Sequence, residues 1–95
     1  MYARLVTGHI APDRLEEAIR LWREIVAPSV RQQKGFKSAR LLVERKTAKV
    51  ASIGLWETEA DVQETVEWNR GQLAKFVGLF TAPPIVEHYE VVAEA

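Results

Sequence analysis

The sequence predicts an α+β fold, one four-stranded antiparallel sheet with two helices on the same face, in the order βαββαβ: the ferredoxin-like arrangement. Three observations lead there. Four short segments alternate with the period of a strand, two longer ones repeat apolar residues every three or four positions, and proline, glycine and polar turns separate them. No linker, repeat or low-complexity run interrupts the 95 residues, which read as a single domain over 1–95.

The first strand runs through YARLVTGHI and ends near His9, with Ala3 and Leu5 on one face and Tyr2, Arg4 and Val6 on the other. Ala11, Pro12 and Asp13 then open a helix, because proline suits a first turn and Asp13 is placed to cap it, with Glu16 three residues on. Leu15, Ala18, Ile19, Trp22, Ile25 and Val26 form its apolar stripe, which makes Trp22 a core residue; Arg14, Glu17, Arg20, Arg23 and Glu24 form the solvated side. Pro28 lacks an amide proton and predicts a kink, after which the helix continues at a changed angle until Gly35 ends it as a left-handed cap.

Phe36 to Arg45 is the second strand, with Ala39, Leu41 and Val43 facing one way and Ser38, Arg40, Leu42 and Glu44 the other. A polar turn, Lys46 to Lys49, joins it to the third strand, Val50 to Trp56, whose Ala51, Ile53 and Leu55 share a face. Thr58 with Asp61 three residues later is a capping signature, and Glu59 suits the positive end of a helix. In that helix Val62, Val66, Asn69, Leu73 and Phe76 share a face, while Gly71 and Gly78 each weaken it by about 1 kcal/mol and mark a break near Gly78. Pro83 and Pro84 stop it, and Ile85 to Val92 is the last strand, with Ile85, Tyr89 and Val91 on one side.

Composition narrows the function. Thirteen basic and thirteen acidic residues cancel, so no broad positive field exists to attract nucleic acid or an anionic membrane surface. No apolar run approaches the roughly 20 residues that span a bilayer, and no leader precedes the first strand, so a cytoplasmic location is expected. The absence of cysteine excludes a disulfide framework, a thiolate nucleophile and cysteine-ligated zinc. On the side of the sheet that the helices leave bare, the strand phase places Arg4, Val6, Arg40, Leu42, Glu44, Ser52 and Trp56. That mixture is too apolar for water and too charged for a private core. It predicts a homodimer, two sheets facing across a two-fold axis, burying Leu42 and Trp56 and pairing Arg4 or Arg40 with Glu44 or a carboxylate of the last strand.

With PSVRQQKGF at 28–36 after a proline-kinked helix, LWETEADV at 55–62 and HYEVV at 88–92, the chain resembles the antibiotic biosynthesis monooxygenase-like domains of the dimeric α+β barrel superfamily over essentially its whole length. Gly35 caps, Trp56 packs and Thr58 starts a helix, so these motifs speak to architecture more than to activity. The resemblance implies a dimeric α+β barrel, and a family that includes cofactor-free oxidation of aromatic polyketides by dioxygen, haem opening, and domains without assigned chemistry. Haem-degrading relatives resemble one another in a first-strand asparagine, a tryptophan nine residues beyond the strand-ending one and a histidine ten further on. Here those positions hold Thr7, Thr65 and Lys75, which disfavours haem.

Cofactor-free oxygenation needs a dry pocket for a phenolic substrate and polar groups that stabilise its anion. Trp68 is a candidate wall, Thr7 a candidate lining residue, and Asn69 a candidate partner for a substrate oxygen. The resemblance implies an Asn and Trp pair about one turn apart on this helix; here the two are adjacent and point roughly 100° apart. The competing reading makes Trp68 core and Asn69 a polar shoulder. His9, ending the first strand, and His88, on its neighbour, titrate near neutrality and are the candidate bases. They lack carboxylates at ligand spacing, so neither metal nor cofactor is expected. Phe76, Leu79 and Phe80 read either as a lid over the pocket or as packing. No nucleophile elbow, phosphate loop or zinc-ligand spacing occurs. The function expected is oxidation of a small aromatic or quinone-like molecule without a cofactor, with Asn69 orienting it and His9 or His88 as base. The alternative is a non-catalytic dimer that binds a small hydrophobic metabolite or serves as a scaffold.

Overall fold

The computed structural model describes residues 1–95. Strand β1 (Tyr2–His9) leads into a helical segment of four parts: a 3-10 turn (Pro12–Arg14), α1 (Leu15–Leu21), a π-helical turn (Trp22–Val26) and α2 (Ala27–Val30). Strands β2 (Phe36–Glu44) and β3 (Lys49–Trp56) form a hairpin, α3 (Glu59–Gln63) and α4 (Val66–Ala74) cross back, and β4 (Ile85–Glu90) closes the sheet. The strand order is β2-β3-β1-β4 with every neighbour antiparallel, which is the ferredoxin-like pattern.

Strands β1 and β3 have the opposite phase to the one their alternation suggests. Arg4, Val6, Ser52 and Trp56, expected on the bare side, lie under the helices, and Arg4 and Trp56 are only 3% and 2% exposed. The bare side carries instead Ala3, Leu5 and Thr7 of β1, which stand across the ladders from Leu55, Ile53 and Ala51 of β3 and from Tyr89, Glu87 and Ile85 of β4. Both faces of β1 and β3 are apolar, so hydrophobic patterning has no polar side to orient by. The tie is broken by Trp56. Its indole folds back over Gly54, where an added Cβ would stand 2.6 Å from the ring, and the Arg4 guanidinium lies 5.3 Å from the ring centroid. Gly54 and Arg4 are partners in the ladder, so the space that glycine leaves is the space in which ring and cation meet.

The irregularity around Pro28 is a widened turn, not a simple kink at the proline. An α-helical register would drive the Pro28 ring against the carbonyl four residues back. The chain inserts one residue upstream: the amide of Ala27 donates to the carbonyl of Trp22, five positions earlier, and Pro28 falls in the first turn of α2. The same shift rotates Ile25, expected on the apolar stripe, out to 39% exposure.

Other local signals hold or yield for identifiable reasons. Gly35 takes φ +77° as the left-handed cap, and Thr58 Oγ1 accepts from the amide of Asp61 at 3.1 Å. Asp13 does not cap, because it lies inside the 3-10 turn, and Glu16 pairs with Arg45 across the surface. The second helix breaks at Glu64–Thr65 in addition to ending before Gly78: the Val62 carbonyl accepts from the Thr65 amide, three residues on, at 2.9 Å and from the buried Thr65 hydroxyl at 2.7 Å, which tightens the turn and interrupts the α-helical pattern. In the hairpin turn Ala48 is buried at φ +58°, so the turn is not wholly polar; its carbonyl accepts from the amide of Ile10.

The larger core cluster joins Ile10, Leu15, Ala18, Val50, Phe76 and Leu79 around Ala48; a smaller one joins Val30, Trp56 and Val62. Of the two roles open to Phe76, Leu79 and Phe80, the structure selects packing. Ala11 donates to the Leu79 carbonyl and Thr81 to that of His9, both at 2.9 Å, which ties this segment to the end of β1. Substituting Gly54→Ala forces the Trp56 ring off its seat. Overpacking of this kind costs about 1–3 kcal/mol, so thermal melting should show a drop of several degrees, with the Trp56 fluorescence environment altered.

Candidate functional site

Two adjoining cavities open between the sheet and the helices. The larger, about 60 Å³, is walled by Val6 and Val50 of the sheet, Ala18 of α1, and Leu73, Phe76 and Phe80 of the second helical region. The smaller, about 40 Å³, is walled by Arg4, Ala39, Gly54 and Trp56 of the sheet with Val30 and Trp68 above them. At roughly 10–15 Å³ per water, the smaller has room for about three. Val6, Trp22, Val26, Ser52 and Asn69 border both. The π-helical turn sets this partition, since Trp22 and Val26 stand at its two ends and both enter the wall.

The two chambers differ in chemistry. The larger is almost wholly apolar, with Ser52, Asn69 and Gln72 as its polar members. Trp22 Nε1 donates to Ser52 Oγ at 3.3 Å, while the buried Gln72 Oε1 has no partner. In the smaller chamber Trp68 Nε1 is occupied, donating to Ser29 Oγ at 2.6 Å, but Trp56 Nε1 and Arg4 Nη1 are buried donors without acceptors. Arg4 Nε donates to His88 Nε2 at 3.0 Å and Nη2 to the Val62 carbonyl at 3.4 Å, a carbonyl that also accepts from the Thr65 amide and hydroxyl. No carboxylate forms an ion pair with Arg4. Burial pulls its guanidinium down to about 10, which leaves it cationic at neutral pH. It is a buried positive charge with no counter-charge.

Asn69 borders both chambers and Trp68 borders the smaller, so adjacent residues reach one site despite their divergent directions. Thr7 and His9 do not join them. Both stand on the bare side of the sheet, Thr7 opposite Ala51 and Ile85, His9 opposite Lys49. His88 faces the helical side in the Arg4 row, five residues along β1 from His9, or roughly 17 Å. The two histidines are therefore not within reach of each other. Accepting from Arg4 fixes His88 as the neutral tautomer with its proton on Nδ1; burial first, and the Arg4 charge second, hold its pKa below the ordinary value. No group of three or more His, Asp or Glu side chains gathers as metal ligands, and no helix is long and apolar enough to cross a membrane.

Sequence reasoning missed Arg4, Ser52, Trp56 and Gln72 and assigned Trp22 to the core. The available signal was Gly54 two residues before Trp56: same-face neighbours in a strand, one without a side chain, mark a place where a ring lies back on the backbone.

Fold and cavities together define a ferredoxin-like α+β protein with two small adjoining cavities between sheet and helices. The chain belongs to the antibiotic biosynthesis monooxygenase family, whose model matches residues 1–68. Solved structures with the same fold include Rv0793 from Mycobacterium tuberculosis, at 17% identity and TM-score 0.77 over 99% of this chain and 97% of that one. NE2512 from Nitrosomonas europaea, a protein of unknown function, matches at 16% and 0.80 over 99% and 91%. The monooxygenase ActVA-Orf6 of Streptomyces coelicolor, in complex with nanaomycin D, matches at 18% and 0.77 over 99% and 89%. A search of curated proteins finds no matching sequence.

Because His88 is held neutral, its contribution to stability is complete above the unfolded value of 6.5 and is lost as pH falls through the lower folded value. Melting temperatures followed from about pH 7 to about pH 5 should fall more steeply for the wild type than for His88→Gln, which keeps an acceptor for Arg4 and cannot titrate.

Proposed function

We propose that this chain is a cofactor-independent monooxygenase acting on a small aromatic or quinone-like molecule inside the paired cavities, as a cytoplasmic homodimer. The observation that carries this is the position of Asn69 on the wall shared by an apolar chamber and one lined by free hydrogen-bond donors. The first offers an aromatic body apolar walls, and an oxygen substituent at the body's edge would meet the amide. The fold shared with an enzyme crystallised with nanaomycin D supports the same class of ligand.

The chemistry asks little of the protein beyond dryness and donors. An anthrone-like substrate gives up a proton to solvent at the mouth of the cavity, which leaves an electron-rich anion, and the peroxide formed from it takes a proton back from solvent. The anion passes one electron to dioxygen, and recombination of the radical pair forms a carbon–oxygen bond; loss of water from the resulting peroxide leaves a carbonyl, with one oxygen atom retained. Asn69 orients the substrate, Trp68 and Trp22 exclude water, and the donors favour the anion. A second reading, binding without turnover, draws on one observation. Neither His9 nor His88 borders a chamber, and the acceptor nitrogen of His88 is already engaged by Arg4.

The dimer is proposed from the bare face. Leu42, Ile85 and Tyr89 are 46%, 60% and 49% exposed there, beside Leu5, Ile53 and Leu55, with Arg40 and Glu44 on β2 at its margin. A second copy of the same sheet covers that area and lets Arg40 of one protomer meet Glu44 of the other.

Oxygen uptake with anthrone and 1,4-naphthoquinol should be catalysed by the wild type, and Asn69→Ala should lower kcat/KM by about ten-fold or more. Binding of these compounds with no turnover would select the second reading. In sedimentation at micromolar concentration the wild type should run as a dimer and Leu42→Glu as a folded monomer, since the substitution places two like charges face to face across the axis. A monomeric wild type removes the proposed interface.

A further inference from the structure

We propose that the smaller chamber is a carboxylate subsite in which Arg4 Nη1 and Trp56 Nε1 hold the acid group of an aromatic carboxylic acid, its ring lying in the larger chamber. This rests on the reading that the larger chamber takes an aromatic body. Arg4 and Trp56 are 3% and 2% exposed, both line the chamber, and each has a buried N–H donor without an acceptor. Leaving such donors unpaired is costly for each, and leaving the guanidinium without an opposing charge costs more. The neighbours of Arg4 do not supply that charge: His88 accepts as a neutral ring, and Val62 offers a carbonyl already shared with the Thr65 hydroxyl.

The chemistry of the donors selects the ligand class. A neutral phenol or quinol, with a pKa near that of tyrosine at about 10, would satisfy a hydrogen bond but leave the cation uncompensated. A carboxylic acid, ionised above about pH 4, supplies both acceptors and charge. Size is compatible, because a volume of about 40 Å³, room for about three waters, is on the scale of a carboxylate group. Trp22, Ser52 and Asn69, on the common wall, stand where ring and acid join. Arg4 and Trp56 then determine specificity, and the absence of any protein carboxylate at Arg4 is the feature that keeps the position free for the ligand's own.

The test compares acid and alcohol of the same ring: benzoate with benzyl alcohol, and 1-naphthoate with 1-naphthalenemethanol, titrated into the wild type by calorimetry and by tryptophan fluorescence. The acid of the better-fitting ring should bind at least ten-fold more tightly than its alcohol. Arg4→Gln should erase that preference by weakening the acid alone, and Trp56→Phe should weaken the acid several-fold. Equal affinity of acid and alcohol for the wild type overturns the subsite and leaves the aromatic cavity standing. Failure of all four compounds to bind overturns the cavity reading, and the subsite with it. Equal loss of both partners in Arg4→Gln makes Arg4 a structural residue and also overturns the proposal; the wild-type comparison decides even where that variant does not fold.

Discussion

The interior of this protein is arranged around a cation placed under a sheet with nothing negative to meet it. Arg4 sits in the middle of β1, its guanidinium over the Trp56 ring and its remaining donors directed to a neutral imidazole, a backbone carbonyl and a cavity. Burying a charge in this way is unfavourable unless the surroundings return part of the loss. Here the return is assembled from weak parts: the face of an indole, a Val62 carbonyl shared with the Thr65 amide and hydroxyl, and His88 held as an acceptor. Each of those parts imposes a further constraint. Trp56 requires Gly54, the Val62 carbonyl reaches Arg4 where the helix divides into α3 and α4, and His88 requires β4 to run with its even-numbered side inward.

The architecture was legible because it is encoded locally. Gly35 and Thr58 mark helix boundaries by backbone geometry and a side-chain oxygen, signals that need no tertiary context. Strand phase is different in kind. Ala3 and Leu5 on one side of β1 and Val6 with Tyr2 on the other are nearly equal in hydrophobicity, and β3 has the same ambiguity. An arginine in such a strand argues for the solvent face unless its partner is known. Since a phase error moves every side chain to the opposite face, that one inversion carried Thr7 and His9 into a pocket they do not line, and carried Arg4 and Trp56 out of it. Asn69 escaped because its position follows from helical period alone, on one stripe with Val62 and Leu73.

The first helix shows how backbone irregularity becomes a cavity wall. A regular helix through Pro28 would keep Trp22, Ile25 and Val26 on one apolar stripe packed flat against the sheet. The widened turn spends a residue instead, turning Ile25 outward and leaving Trp22 and Val26 to border both chambers. Two adjoining spaces of about 60 and 40 Å³ are the result. Side chains that close such a gap completely would gain packing energy, so its presence beside unpaired donors fits an interior shaped for a ligand more than one shaped for stability.

A sheet only one residue thick makes these roles interdependent. Along β1 and β3 the residues under the helices, Arg4, Val6, Ser52 and Trp56, build the chambers, while their immediate neighbours Leu5, Ile53 and Leu55 build the bare face proposed to meet a second copy. The strands therefore need apolar residues on both sides, and this is the property that hides their phase from the sequence. A partner packed on the outer side would also hold the inner side: stiffening the β1–β3 ladder fixes the ladder pair of Arg4 and Gly54, and with it the seat of the Trp56 ring. In that arrangement dimerisation and ligand binding draw on one set of backbone hydrogen bonds, so the dimer would contribute to the site without lending it a single residue.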